Sequence, residues 1–341
     1  MNKVQSTAND KFLRYSLTLG LSTMSGRGFY YPVDSVIGKD GNIYVLGRSN
    51  PQDPRGVRIT SLSLDSEFYG NFGSFGSKDG QFVWPTSIDI DSTGRFYVTD
   101  EYLNRITIFD SAWNFVDKWG KPGGNQSEFN GPSGIAIDNN DFLYVVDHRN
   151  NRIQKFTTEG EFILSFGEAG NNNGQFDLPW GIAIGPNDTI YIADWNNDRI
   201  QNFSSDGQFI SCLGKPGHED GEFHKPSGVA VDQRGYMYVA DWGNERIQIF
   251  DPDGNFVMKL RGEATLSKWA EEFFNINVEE AEARDKSNLE LDIDLFVNTP
   301  HEESAHIEKL FWGPISVELD SSGRLYVTES NRHRIQVFEP N

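Results

Sequence analysis

Residues 144–156 read YVVDHRNNRIQKF, and four further segments share that pattern. They are YVTDEYLNRITIF at 97–109, YIADWNNDRIQNF at 191–203, YVADWGNERIQIF at 238–250 and YVTESNRHRIQVF at 326–338. Each opens with β-branched and aromatic residues, breaks at Asn, Asp or Gly, and resumes with an alternating Arg-Ile run. That is the pattern of two strands joined as a hairpin. Upstream of each, a proline leads a short apolar strand: PTSIDID, PSGIAID, PWGIAIG, PSGVAVD and PISVELD. A weaker copy, PVDSVIGKDGNIYVLG, starts at Pro32.

Pro85, Pro132, Pro179 and Pro226 are each 47 residues apart. Pro32 and Pro85 are 53 apart, so that repeat carries 6 extra residues, between Tyr44 and Arg58. Pro226 and Pro314 are 88 apart, which is 41 more than the period and places an insertion at about 262–310. Four strands per repeat at this period predict a propeller. The outer strands settle its closure. Phe115, Phe162, Phe209 and Phe256 each lie 6 residues after the Phe that ends the hairpin, and Phe68 lies 6 after Leu62. The last hairpin ends at Phe338 and the sequence stops at Asn341, too soon for an outer strand. KFLRYSL at 11–17 has the look of EFILSFG at 161–167, so an N-terminal strand is expected to complete the last blade and remove its exposed edge. The expectation is an all-β, six-bladed propeller forming one domain over 1–341, with a mainly helical insertion.

These residues resemble the NHL-repeat family. The features that carry the resemblance are the P-x-G-I-A-I-D strand, the Y-V-x-D turn, the N-R-I-Q-x-F strand and a G-x-x-G-x-x-x-G-x-F linker. The linker reads GEAGNNNGQF at 167–176 and GKPGHEDGEF at 214–223. The resemblance covers nearly the whole chain outside the insertion and implies the propeller. It implies no single function, because the family spans RNA-binding and protein-binding modules and amidating lyases, with lactonases as distant relatives. Amidating lyases hold zinc on inner-strand histidines, and no inner strand here contains His. No Gly-x-Ser-x-Gly elbow is present, and the Gly-rich linkers read as turns rather than phosphate loops.

The formal net charge is −20, from 50 acidic and 30 basic residues. Such a field repels nucleic acid and anionic membrane, so neither is an expected partner. The first residues, MNKVQSTANDKFLRYS, contain no apolar run and read as neither signal peptide nor membrane anchor. The single cysteine, Cys212, allows no intrachain disulfide, which fits a reducing, cytoplasmic setting.

Paired Asp and Arg recur in each hairpin: Asp100/Arg105, Asp147/Arg152, Asp194/Arg199, Asp241/Arg246 and Glu329/Arg334. A pair repeated in every blade reads as scaffold bridging the hairpin, since one active site needs asymmetry. Function is expected where the blades differ. On the face shared by the loops that lead into the inner strands and by the hairpin tips, Tyr31, Arg48, Trp84, Trp180, Trp195, His224, Trp242 and Trp312 form a candidate ligand-binding set. Glu101 and His148 on that face are candidates for proton transfer. Inside the ring, the fourth position after the proline is Ala136, Ala183 and Ala230 in three blades but Asp89 and Glu318 in two others. Asp34 sits two positions after its proline. These three carboxylates fall in neighbouring blades. They are candidate acid–base groups, ligands for a divalent cation as cofactor, or polar residues solvated by channel water. If they share a dry site, like charges should raise a pKa.

The insertion should be helical at KWAEEFFNI after Ser267 and again from Thr299-Pro300, a capping-box start. It reads as a lid or partner-binding element over the mouth. Its acidic residues read as a solvated helix face. The expected function is binding of a small molecule at the upper mouth of the channel, with hydrolase or lyase chemistry on the carboxylates. The alternative is a non-catalytic scaffold that grips a peptide or protein with the same face.

Overall fold

The computed structural model describes residues 12–48, 53–289 and 299–341. In blade three, Pro132–Ile137 is the inner strand, followed outward by Leu143–Asp147, Arg152–Phe156 and Phe162–Phe166. All three pairings are antiparallel. Six such four-stranded sheets form the molecule, and each inner strand contacts those of the two adjacent blades, so the ring is closed. The other inner strands are Pro32–Ile37, Pro85–Ile90, Ile182–Ile184, Pro226–Val231 and Pro314–Leu319. Blade four starts its regular strand later than its sequence pattern predicts, yet Trp180 N–H still bonds Ala193 O at 2.8 Å.

Closure follows the sequence expectation. Leu13–Leu19 is the outer strand of blade six and pairs antiparallel with Arg334–Pro340, from Leu13 opposite Pro340 to Leu19 opposite Ile335. It runs two residues beyond the expected segment, whose first residue, Lys11, lies outside the described residues. Between adjacent blades sit apolar clusters, each fed by one linker phenylalanine. Phe29, Phe82, Phe129, Phe176, Phe223 and Phe311 are all buried. Burying each such ring is worth about 1.5–3 kcal/mol.

The repeated ion pairs are scaffold. Asp147 Oδ2 accepts from Arg152 Nε at 2.8 Å, Asn150 Nδ2 at 2.9 Å and Gln154 Nε2 at 3.1 Å. Arg152 then donates onward to the linker carbonyls of Gly124, Asn125 and Glu128. Asp194 and Asp241 anchor the same networks in blades four and five. Glu329 pairs with Arg334 at 2.7 Å in blade six. Blade two is the exception. Leu103 and Thr107 replace the Asn and Gln, and among the described residues Asp100 and Arg105 form no ion pair. Arg105 Nε and Thr107 Oγ1 are left buried without partners.

The insertion contributes α1 (Lys268–Ile276), α2 (Val278–Asp285) and α3 (Pro300–His306). Both predicted caps form: Ser267 Oγ accepts from Ala270 N and Thr299 Oγ1 from Glu302 N. Residues 290–298 of the insertion lie outside the described residues. The expectation of a lid over the mouth is corrected for α1. Its Trp269 is buried in the apolar cluster where blades six and one meet, 5.9 Å from the Phe29 ring and 6.3 Å from Phe68. Trp269 Nε1 also caps Ser66 O at 2.8 Å. Trp269 of α1 is therefore spent on the closing seam. α3 stands at the upper rim between blades five and six, where Arg332 donates to Ser304 O at 2.8 Å.

Candidate functional site

The upper rim is built from one repeated contact that joins neighbouring blades. The residue just before the hairpin arginine is left-handed in five blades: Asn104, Asn151, Asp198, Glu245 and His333 have φ of 52–54°. Each offers a side-chain acceptor to the backbone N–H just ahead of the next inner strand. Asn104 accepts from Gly131 N at 2.8 Å, Asn151 from Leu178 N at 2.7 Å, and Asp198 from Lys225 N at 2.6 Å. Glu245 accepts from Gly313 N at 2.6 Å, and His333 Nδ1 from Tyr31 N at 2.8 Å. Asn and Asp tolerate the left-handed region, which is why they recur here. The signal in the sequence is five acceptors in one register.

The seam from blade one to blade two lacks that contact, and charge fills the gap. Glu101 is buried and clamped by Arg48 at 2.6 Å and Arg149 at 2.5 Å. Arg48 lies over the Trp84 ring at 4.5 Å.

The other candidate rim residues are distributed over separate seams. His148 is buried, bonds Pro179 O at 3.0 Å and meets the Trp180 ring edge-on at 5.1 Å. Burial pushes its pKa below the usual histidine value. Lys225 covers Trp195 at 4.4 Å. His224 packs beside His218 at 5.8 Å, and Trp242 starts the short helical turn at the tip of blade five. Trp312 lies near His301 and under Arg332. Tyr31 packs edge-on to His333 at 4.6 Å. The expected convergence over one opening does not occur: of the candidate aromatic set only Trp180 lines the axial cavity, and Glu101 and His148 do not. Loop-to-loop packing holds the rest.

That cavity holds about 290 Å³ and runs down the axis between the six inner strands. Its wall is divided. Counting from the proline, the second position is Asp34, Ser87 and Ser316 in blades one, two and six, but Gly134, Gly181 and Gly228 in blades three to five. The glycines let inner strands approach closely; a Cβ on Gly181 would lie 2.4 Å from Ser227 O. The fourth position is Asp89 and Glu318 on the polar side and Ala136, Ala183 and Ala230 opposite. All three carboxylates line the cavity together, as their neighbouring blades predict.

Their hydrogen bonds differ. Asp34 Oδ2 accepts from Ser87 Oγ at 2.6 Å and Ile88 N at 3.0 Å, and Oδ1 from Ser35 N at 2.9 Å. Asp89 Oδ1 accepts from Ile90 N and Oδ2 from Ile137 N, both at 2.7 Å. Among the described residues Glu318 receives only the amide of Leu319 on its own strand. Enclosure by protein raises the pKa of Asp34. It pushes Asp89 up to about 7, helped by the charges of Asp34 and Asp91. Enclosure, then Asp89 and Asp34, raise Glu318 well above the usual range. Of the three, Asp89 therefore changes charge near neutrality, while Asp34 and Glu318 hold their protons more tightly than ordinary carboxyls.

The divalent-cation expectation is corrected. Among the described residues no group of three or more His, Cys, Asp or Glu is arranged to hold a metal. The physical reason is that Asp34 and Asp89 turn their oxygens to amide and hydroxyl donors on the strands beside them. No helix among the described residues is long and apolar enough to cross a membrane.

The architecture defines a class: a six-bladed β-propeller with an axial cavity that has carboxyls on one side and Gly and Ala on the other. Within that class the chain contains segments similar to NHL repeats. The NHL-repeat family matches residues 129–156 and 311–338, and the SMP-30/gluconolactonase/LRE-like region matches 174–265. No curated protein sequence matches. Solved structures do. A streptogramin B lyase is 14% identical with a TM-score of 0.58, covering 96% of this chain and 98% of that one. Virginiamycin B lyase from Staphylococcus aureus is 13% identical, TM-score 0.58, covering 96% and 100%. A protein of unknown function from Bacteroides thetaiotaomicron is 17% identical, TM-score 0.60, covering 93% and 71%. At these identities the likeness shows the fold.

Proposed function

We propose that this protein binds a small molecule within the axial channel and acts on it by acid–base chemistry of the hydrolase or lyase type. The observation that carries the reading is that Asp34, Asp89 and Glu318 line one ligand-sized cavity, where enclosure raises the carboxyls of Asp89 and Glu318. A carboxyl group that titrates near the working pH can both give and take a proton, which is what general acid–base catalysis requires. Two of the structural neighbours are lyases by name, which agrees with that class. The volume sets the size of the ligand. A cavity of about 150 Å³ accepts benzene, so this one takes about a dozen heavy atoms. The rim aromatics then serve to hold the mouth open in a fixed shape.

The test uses a plugged channel. Ala183 faces the acidic side, and Ala183→Phe should fill the cavity. Ligand-observed NMR with small fragments should show binding to the wild-type protein and none to the variant, with the melting temperature changed by only a few degrees. Equal binding by both proteins overturns the reading.

A second reading, a non-catalytic interaction scaffold, is favoured by one feature. Ile276 and Val278 are 80% and 61% exposed where α1 meets α2. In that case a peptide or protein partner would dock on the insertion, and Ile276→Asp with Val278→Asp would abolish partner binding while fragment binding to the channel persisted.

A further inference from the structure

We propose that the channel ligand carries a primary ammonium group on a compact aliphatic body. The inference rests on the channel reading above and names the ligand class for that site. Asp34, Asp89 and Glu318 line the cavity, and no Lys, Arg or His is among its lining residues. Buried carboxylates are ordinarily paired with a cation or fully hydrogen-bonded. Asp34 and Asp89 are each held by an amide of the adjoining blade. Among the described residues Glu318 has no donor from a neighbouring strand, and it faces the cavity. The wall thus presents an acceptor that the protein itself does not satisfy.

The opposite wall specifies the rest of the ligand. Blades three to five place Ala136, Ala183 and Ala230 where the acidic side has Asp89 and Glu318, and these short side chains leave space beside the acids. That side offers apolar contact and no charge, which suits a hydrocarbon body. A ligand anion would meet three acids and no counter-charge. A divalent ion would need converging oxygens, which the amide bonds of Asp34 and Asp89 deny it. A primary ammonium brings one positive charge and three N–H donors, and it needs no rigid coordination shell. The net charge of −20 favours approach of cations to the whole molecule.

Binding should also displace protons. An ammonium favours the ionised form of each carboxyl beside it, so affinity should rise between pH 6 and pH 8. The groups that set this dependence are Asp34, Asp89 and Glu318 on the wall, with Asp91 and Asp320 at the ends of two of the strands. Blades three to five place no titratable side chain on the wall.

The experiment compares three probes of one shape by isothermal titration calorimetry: cyclohexylamine, cyclohexanol and cyclohexanecarboxylate. They are titrated into the wild-type protein, Glu318→Gln and Ala183→Phe at pH 7.5, and the amine also at pH 6. The amine should bind at least tenfold more tightly than the alcohol, with the carboxylate weakest. Glu318→Gln should weaken the amine far more than the alcohol and so remove most of the amine's advantage. Amine binding in two buffers of different protonation enthalpy should show proton release. If amine and alcohol bind equally, or the amine does not bind, the ammonium assignment is overturned. The channel reading is judged separately: it stands if any small probe or fragment is lost on Ala183→Phe and falls if none is. Should Glu318→Gln fold poorly, Asp89→Asn gives the same comparison from the next acid.

Discussion

His333 shows how much one side chain can decide at the closing seam. Its Nδ1 accepts from Tyr31 N, and its ring stacks on Tyr30 at 5.1 Å. Burial lowers its pKa to about 4 from the usual 6.5, so the folded protein holds it neutral. The sign follows: a depressed histidine pKa gives stability that is full above 6.5 and lost as pH falls towards 4. Asn does the same job in blades two and three. His333→Asn should therefore leave stability at pH 7.5 nearly unchanged and lessen the loss between pH 6.5 and 4, read from urea midpoints; an unaltered pH profile would contradict this. The channel acids act in the opposite sense. Asp89 and Glu318 have raised pKa values in the fold, so their contribution is full below the ordinary carboxylate range and is lost as pH climbs through the folded values. Asp89→Asn should raise the melting temperature at pH 8 relative to wild type, by a few degrees, and not at pH 4. A third residue test concerns scaffold. Gln201 bonds Gly174 N, Gln175 O and Asp194, so Gln201→Ala strands buried polar groups and should cost about 1–3 kcal/mol in chemical denaturation.

At the scale of elements, the closing strand and α1 belong together. Leu13–Leu19 completes blade six, and Trp269 fills the pocket between that strand and blade one. Trp269→Ala should cost about 3–5 kcal/mol. Hydrogen exchange should quicken in Leu13–Leu19 and Arg334–Pro340 while the strands of blade three stay protected. Uniform exchange changes around the ring would count against a seam-specific role. Both elements are legible in the sequence, for different reasons. The strand follows from the count of outer-strand phenylalanines, because a ring with one strand too few must borrow it. The helix follows from its cap at Ser267 and its apolar spacing. Its destination is not legible, because amphipathic spacing says which face is buried and not against what. The rim escapes the sequence for a related reason. Trp84 and Trp312 lie just ahead of inner strands and Trp195 and Trp242 at hairpin tips, but such positions fix only the level of a side chain on the propeller. Which seam each packs into depends on the neighbouring blade's loop.

At the scale of the whole molecule, symmetry builds the frame and its failure supplies the chemistry. Four hairpins repeat the same Asp or Glu and Arg pair, and five seams repeat the same left-handed acceptor, so neither can single out a site. The inner strands alone divide the ring into an acidic half and a glycine-alanine half. That division is legible in the residue order itself, because inner-strand positions point to the axis in every blade and departures from Gly and Ala stand out. The hydrogen bonding that separates Glu318 from Asp34 and Asp89 is not, since it depends on strands of adjoining blades. The most direct test of the account is a ¹³C NMR titration of the side-chain carboxyls in wild type, assigned with Asp89→Asn and Glu318→Gln. The account predicts that Asp89 titrates near 7 and Glu318 well above the usual glutamate range. Midpoints near 4 for both would contradict it, since the channel would then hold three ordinary carboxylates and no proton to exchange with a ligand.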